Sequence, residues 1–507
     1  MKMNHIWMRT TLGYRARVAF MALCCTALAA AAAEGQERLT LDEAVTLARQ
    51  NNPNFLSTEN DRGAAAWQER AAYGAFLPRA DASASAGYTE AGTQRIGTLD
   101  FGSQSTDWYS SSYNVGLTWT LDGNTIFGVS NARNSRRATD ARVDAAAFDL
   151  ESGVAFQYMT ALRARDQLDV AQRQLDRARQ NLRIVTTRVS SGAAAGTEGK
   201  QAEVDLGRAE VGLIQAERDL RLSKLLLAEQ IGVSLPPDVE LVSEFAVFEP
   251  DFDVAALVDA ALNMHPSLNA FRAQENARRA AARQTTTSQY LPTVTLQTGF
   301  RGNTLQALNE EFLLTSAEDR VQGQRESCEF QNAISAGLTS PLPGYPRNCS
   351  EFVMTDAMRR DIISSNDVFP FNFTTLPLSL SLRVSVPIFT GFSRQTQVAQ
   401  ANAAAEDAEH DRRAEELRLR TAVTSAADNL ESAYRVLQAE ERNLTLAEEQ
   451  LLLQQRRYSL GAAALLELLD AQTTMTTADQ AYLNALYDFH YSLIQLEAAV
   501  GRSLRDG

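Results

Sequence analysis

Histidine is scarce in this 507-residue chain, with four in all. His5 lies in the leading stretch, and His265, His410 and His490 are scattered without the spacing that metal ligands keep. There is no glycine loop of the phosphate-cradling kind and no nucleophile elbow. No residue set is therefore in place for catalysis, for a metal or for a cofactor, and none is expected. Basic residues are also outnumbered, 48 Lys and Arg against 62 Asp and Glu, for a formal net charge of −14. Nucleic acid is a poor partner for such a surface, because neutralising phosphates dominates that affinity. Outside the N-terminus no window approaches the roughly eighteen uninterrupted apolar residues of a membrane-spanning helix. If the protein lies in a membrane, helices do not put it there.

The N-terminus is the exception. Lys2, Arg9, Arg15 and Arg17 precede an apolar stretch from Val18 to Leu28 and an alanine run before Glu34. This matches a secretory signal over residues 1–33. Its removal takes the charge from −14 to −18, since those residues hold four bases and no acid. Of the four cysteines, Cys24 and Cys25 are expected to leave with the signal, since Met21-Ala-Leu before them fits a lipid-attachment site, the other reading, poorly. Cys328 and Cys349 remain, about twenty residues apart, and in an exported chain such a pair most often bonds. Two free thiols are the other reading.

What is abundant is heptad order. Leu430, Leu437, Leu444, Leu451 and Tyr458 recur every seven residues, the period of a seam between supercoiled helices. Gly461 breaks the pattern, and Leu468 to Val500 resumes it, which describes a helical hairpin with a glycine at its tip. The same text occurs 269 residues earlier. Leu168, Leu175, Leu182 and Val189 fall on the seam, Gly192 on Gly461, and Ile231-Gly-Val-Ser-Leu235 on Val500-Gly-Arg-Ser-Leu504. Less exact matches place Asn52-Pro53-Asn54 on His265-Pro266-Ser267 and Phe76-Leu-Pro78 on Tyr290-Leu-Pro292. The chain is one unit written twice, residues 34–250 and 251–507.

Each unit reads as a helix, a strand pair and a long hairpin. A helix from Leu41 to Phe76, interrupted at Pro53, has Thr40 or Asp42 as its cap. Period-two alternation marks strands at Ala80–Tyr88 and Tyr113–Leu121, both about ten residues long, then at Val294–Phe300 and Leu378–Val386. A polar loop is expected between the first two. A much longer loop from Gly302 to Thr375, holding both cysteines, is expected between the others as a poorly packed excursion. The hairpins occupy 125–231 and 393–500. A first helix running from Thr125 to Ser190 would reach roughly 100 Å at 1.5 Å per residue, so it must lie against others of similar length.

Strands with one apolar face, small polar residues on the other and aromatics near their ends fit a membrane barrel. Four strands cannot close alone, and open edges are excluded in lipid, so the chain is expected to oligomerise. A periplasmic coiled-coil adaptor or scaffold without a pore is the alternative. Adaptors, however, carry one hairpin flanked by β-rich domains.

The tandem repeat, the signal, the Leu-Pro before a strand, Pro387-Ile-Phe-Thr-Gly391 after one, and Tyr458-Ser-Leu-Gly461 followed by Glu467 and Asp470 together resemble the TolC family of outer membrane efflux proteins. The resemblance covers essentially the whole mature chain. It implies a mainly α fold with a small β part: a homotrimer whose hairpins form a periplasmic α-barrel tunnel and whose strands form one 12-stranded transmembrane β-barrel in outer-membrane lipid. It implies a passive exit duct for efflux or type I secretion, working with a periplasmic adaptor protein and an inner-membrane RND or ABC transporter. It further implies a cation-attracting gate at Glu467 and Asp470, spaced i, i+3 on one helix face, with Glu198 as the equivalent acid of the first hairpin and Tyr458 available for a hydrogen bond. In symmetric rings such acids would raise one another's pKa. Adaptor contact is implied at the tips, around Ser190, Gly192 and Ala193 and around Ser459, Gly461 and Ala462. One position departs from the family pattern: an arginine two residues past the second tip glycine is replaced here by Ala463.

Overall fold

A computed structural model describes residues 38–96, 99–104, 106–242 and 245–504; the expected export signal, with Cys24 and Cys25, lies outside them. In chain order the elements are β1 (Arg38–Leu39), α1 (Leu41–Asn51), α2 (Pro53–Gly74), β2 (Arg79–Thr89), β3 (Gly92–Ile96), β4 (Leu99–Gln104), β5 (Trp108–Leu121), α3 (Gly123–Ser190) and α4 (Gly196–Ile231). The second half continues with β6 (Glu240–Leu241), α5 (Val254–Met264), α6 (Pro266–Ser288), β7 (Thr293–Ala307), α7 (Glu310–Gly337), a 3-10 turn (Cys349–Glu351), α8 (Asp356–Asn366), β8 (Thr374–Thr375), β9 (Ser379–Ser385), α9 (Ser393–Ser459) and α10 (Leu465–Val500).

The compact units do not follow the sequence repeats. Of the described residues, one gathers those up to Ala66, Asn134–Ala277 and those from Ala405; the other gathers those within Trp67–Arg133 and Arg278–Ala404. Each unit draws on both halves of the chain: β5 of the first half pairs with β7 of the second, and α3 and α4 of the first pack with α10 of the second.

The helical unit shows why the repeat keeps its short polar motifs. Thr40 caps α1: its hydroxyl accepts from the Glu43 amide at 3.3 Å, and the Glu43 carboxylate accepts from the Thr40 amide at 2.9 Å. Asn52 then ends α1 and starts α2, its Oδ1 accepting from the Asn54 and Phe55 amides at 3.0 Å, with Pro53 in the first turn. Its Nδ2 also donates to the Gln230 carbonyl at 2.8 Å, tying this junction to the end of α4. His265 does the same work in the second half, with Nδ1 accepting from the Ser267 amide at 3.1 Å and Nε2 lying 3.0 Å from the Ala498 carbonyl. Gly232 closes α4 at φ +86°, where a Cβ would stand 2.5 Å from the Asn51 carbonyl oxygen; Gly501 is its equivalent beside His265.

Three apolar clusters form the core of this unit. One contains Val154, Tyr158, Leu162 and Val170 of α3 with Leu227 and Ile231 of α4 and Leu483 and Tyr487 of α10. A second contains Val423, Leu430 and Leu437 of α9 with Phe489, Leu493 and Leu496 of α10. The third lies at the hairpin tips. One feature had no signal in the sequence pattern: β1 and β6 form a two-residue parallel pair, Leu39 beside Leu241, with the buried Tyr158 hydroxyl 2.7 Å from the Leu39 carbonyl and 2.8 Å from that of Val242.

The other unit is built on one antiparallel sheet in the order β2-β5-β7-β9, with β8 also beside β7. Its register aligns Ala84 with Tyr113, Val115 with Phe300 and Thr298 with Leu380. By the period of two, the alanine row of β2, Tyr113 to Trp119 of β5, Leu296 and Phe300 of β7, and Leu380 to Val384 of β9 share one face. That face is uncovered: Leu380 is 70% and Leu382 67% exposed. The opposite face carries Asp81, Ser83, Ser112, Asn114, Gln297, Arg301 and Arg383. Among the described residues β2 and β9 are edges, each paired on one side only.

Both expected loops are more ordered than composition suggests. The first contains the antiparallel pair β3 and β4, and β5 starts at Trp108, earlier than the strict alternation. The second is not a poorly packed excursion. Strand β7 continues to Ala307, and α7 and α8 follow, held to the strand end by Asn366, whose amide group bonds both the Ala307 N–H (2.9 Å) and its carbonyl (2.8 Å). Phe369 stacks on Tyr109 at 5.1 Å, and Cys328 and Cys349 are joined in a disulfide. Helix α7 has no strong apolar stripe, so periodicity hid it; an Asn309 cap and two acids in its first turn start it instead.

Candidate functional site

The two hairpin tips are built alike. At the first, the Ala193 amide donates to the Arg188 carbonyl at 2.8 Å and the Gly192 amide to Val189 at 3.0 Å; at the second, Ala462 donates to Arg457 at 2.8 Å and Gly461 to Tyr458 at 3.0 Å. These are helix-ending bonds that need a left-handed residue. Gly461 supplies it at φ +80°, as Gly192 does at +79°. The return helices begin at Ala195 and Ala464, which have no side-chain oxygen to accept from the helix. Only the reverse half of a capping box remains: Glu198 and Glu467, each the third residue of its helix, accept from those alanine amides at 3.4 Å.

Tyr458 joins the hairpins. Its side chain is 1% exposed, and its hydroxyl donates to Glu198 Oε2 at 2.8 Å. The Arg188 guanidinium stands 4.3 Å over the same ring and donates to the Tyr458 carbonyl, with a further bond to the Ala193 carbonyl at 3.1 Å. Burial, and then the Glu198 carboxylate, push the Tyr458 phenol up to about 12 from 10.0, so it is a neutral donor throughout the physiological range. Around it Val185 and Ala202 of the first hairpin pack with Leu451, Leu468, Ala471 and Met475 of the second.

The other acids are placed differently. Glu467 pairs with Arg457 of its own hairpin at 3.4 Å, both side chains nearly half exposed. Asp470 is exposed. Ala463, where the family pattern has arginine, is half-buried against the tip cluster. Ser190 and Ser459 donate to the Thr187 and Arg456 carbonyls and so belong to their own turns. Gly192, Ala193, Gly461 and Ala462 are exposed. Beside them stand Leu460, 84% exposed, and Leu466, 77% exposed, where the first hairpin has Ser191 and Thr197.

Sequence reasoning missed Arg188 and Arg457. Their equivalence under the 269-residue shift was the available signal, since both send a guanidinium to the alanine carbonyl five residues on. It also missed Asp479, which is buried between Arg173 and Arg177. Among the described residues no group of His, Cys, Asp and Glu is arranged to hold a metal ion, and no helix is long and apolar enough to cross a membrane.

A profile of the family described as "Outer membrane efflux protein" matches residues 44–233 and 358–502. The outer membrane protein TolC of Vibrio cholerae is 22% identical over 463 residues, covering 91% of this chain and 90% of that protein. Solved structures with the same fold include a membrane protein from Pseudomonas aeruginosa, with TM-score 0.66 and 18% identity over 92% of this chain and 91% of that one. VceC from Vibrio cholerae gives 0.64 and 16% over 91% and 96%. The open state of the MtrE outer membrane channel of Neisseria gonorrhoeae gives 0.63 and 18% over 92% and 89%.

Proposed function

The chain belongs to the outer membrane efflux protein family, and from that premise we propose that its two hairpin tips form the gate of a three-fold export duct, held shut by Tyr458, Glu198 and Arg188. As an outer-membrane efflux channel the protein supplies a passage and no chemistry, and energy and cargo selection come from the pump it serves. The observation that carries the duct reading is the sheet: four long strands with two open edges and an uncovered apolar face are unstable in either water or lipid until copies join edge to edge. Three copies close a barrel with the apolar rows outward and Asp81, Ser112, Arg301 and Arg383 lining the lumen.

The tips support the gate reading. One phenol and one guanidinium cross from hairpin to hairpin, so parting the hairpins requires breaking both contacts. In a three-fold assembly Glu467 and Asp470 recur as rings, and exposed carboxylates at a constriction favour cations. The partners we assign are a periplasmic adaptor, whose helix ends meet the small residues and the two exposed leucines of the tips, and an inner-membrane RND or ABC transporter. The scaffold alternative loses its ground, since a scaffold has no use for an open-edged sheet with an apolar face. The test is Tyr458→Phe in reconstituted trimers: larger single-channel conductance supports the gate, and unchanged conductance removes Tyr458 from it.

A further inference from the structure

Away from the tips, the hairpins are joined by a charged contact set between two apolar clusters. Asp479 of α10 is 6% exposed and accepts from Arg173 and Arg177 of α3, each at 3.1 Å. The arginines are four residues apart, so both sit on the face of α3 turned toward α10. One apolar cluster uses α3 as far as Val170 and α10 from Leu483 onward. The tip cluster uses α3 from Leu182 onward and α10 as far as Ala478. The clamp fills the gap. On its far side from the tips, Arg163 bonds Asn484 at 2.6 Å and Tyr487 bonds Asp166 at 2.5 Å. Toward the tips the polar contact is poor: Asn181 reaches Gln472 at 3.4 Å, and Asn181 Oδ1 and Gln472 Nε2 are buried without partners.

The repeat does not reproduce the clamp. Under the 269-residue shift Arg173 becomes Arg442, Arg177 becomes Leu446, and Asp479 answers to Glu210. A buried ion pair adds little net stability over apolar side chains of the same volume, whereas removing one partner strands a charge. Such a contact inside an apolar interface fixes which parts of two helices face each other better than it adds cohesion.

We propose that Arg173, Asp479 and Arg177 form a second link between the hairpins, in series with the tip contact, that sets how far along their length they part when the gate opens. The inference rests on the tip reading above. With the Tyr458 contact broken and the clamp intact, the separation stops at Asp479. With both gone it runs on toward Leu483 and Val170, and the aperture widens. These are positioning residues: they touch neither cargo nor the constriction.

The test is single-channel conductance of the full-length trimer in planar bilayers for Tyr458→Phe, Asp479→Asn and the double variant. A further variant adds Arg173→Gln and Arg177→Gln to the double, so that no buried charge is left unpaired. Asp479→Asn alone is expected to conduct like wild type, and the double variant to conduct more than Tyr458→Phe, beyond the product of the two single effects. The fully neutralised variant is expected to match the double with trimers as heat-stable as wild type. Double-variant conductance equal to Tyr458→Phe, with trimers intact, would overturn the proposal. So would loss of trimers in both clamp variants, which would make the clamp a requirement of assembly. If Tyr458→Phe itself changes nothing, the tip reading fails first and takes this inference with it.

Discussion

Glu198 and Glu467 occupy equivalent places 269 residues apart, each the third residue of its return helix and each bonded to the alanine amide before it, yet only Glu198 receives a buried phenol from the other hairpin. The reason is one residue: the position of Tyr458 in the second repeat is Val189 in the first. The two acids should therefore respond differently to removal. Glu198→Ala leaves the Tyr458 hydroxyl buried and unpaired, at a cost of about 1–3 kcal/mol. Glu467→Ala loses a half-exposed ion pair, with at most about 1 kcal/mol at stake. Denaturant unfolding of purified trimers measures both, and equal losses would contradict the asymmetry.

The Tyr458 phenol gives a pH dependence with a definite sign. Burial and Glu198 raise it to about 12 from 10.0, so the fold holds the proton more tightly than the unfolded chain does. The stability this contributes is fully present below pH 10 and is lost as pH rises through about 12. Wild-type trimers should accordingly lose stability more steeply than Tyr458→Phe between those limits, and parallel curves would show that the phenol is not held as described.

How much of this was legible in the sequence follows from the physics of each feature. The heptad seam and the tip glycines were readable because period and left-handed backbone are local demands: Leu430, Leu437, Leu451 and Tyr458 are buried as the seam requires, and Gly461 ends its helix. The strands were readable from alternation, although Trp108 to Ser112 joined β5 through pairing with β2 and β7, which alternation does not encode. Helix α7 was hidden because it packs through a few anchors rather than a stripe. At the site, Glu198 and Tyr458 were named separately, but their meeting joins residues 260 apart in sequence. Arg188 and Asp479 went unnoticed for the same reason: an arginine or aspartate on a long helix reads as solvated surface until its partner is known.

The disulfide predicts a local effect. Joining Cys328 to Cys349 closes a loop of sequence separation 21 within the α7–α8 segment, a constraint of about 3 kcal/mol in the loop-entropy picture. Cys328→Ser/Cys349→Ser should speed amide exchange within residues 310–366 and leave conductance unchanged. Altered conductance would give that segment a part in the passage.

Leu460 and Leu466 flank the turn of the second tip, 84% and 77% exposed, where the first tip has Ser191 and Thr197, and exposed apolar surface marks docking sites. Leu460→Ser/Leu466→Ser should reduce export in cells while bilayer conductance stays at the wild-type value. Equal export in cells would move the adaptor contact off this tip.

We propose a trimeric pore whose entrance is lined by Glu467 and Asp470. Its most direct test is the reversal potential of the reconstituted full-length protein across a potassium chloride gradient, measured beside Glu467→Ala/Asp470→Ala. A small cation-selective current is expected in the wild type and a larger, less selective one in the variant, from trimers of unchanged stability. Identical selectivity in the two proteins, or trimers that conduct nothing in either form, would contradict the proposal.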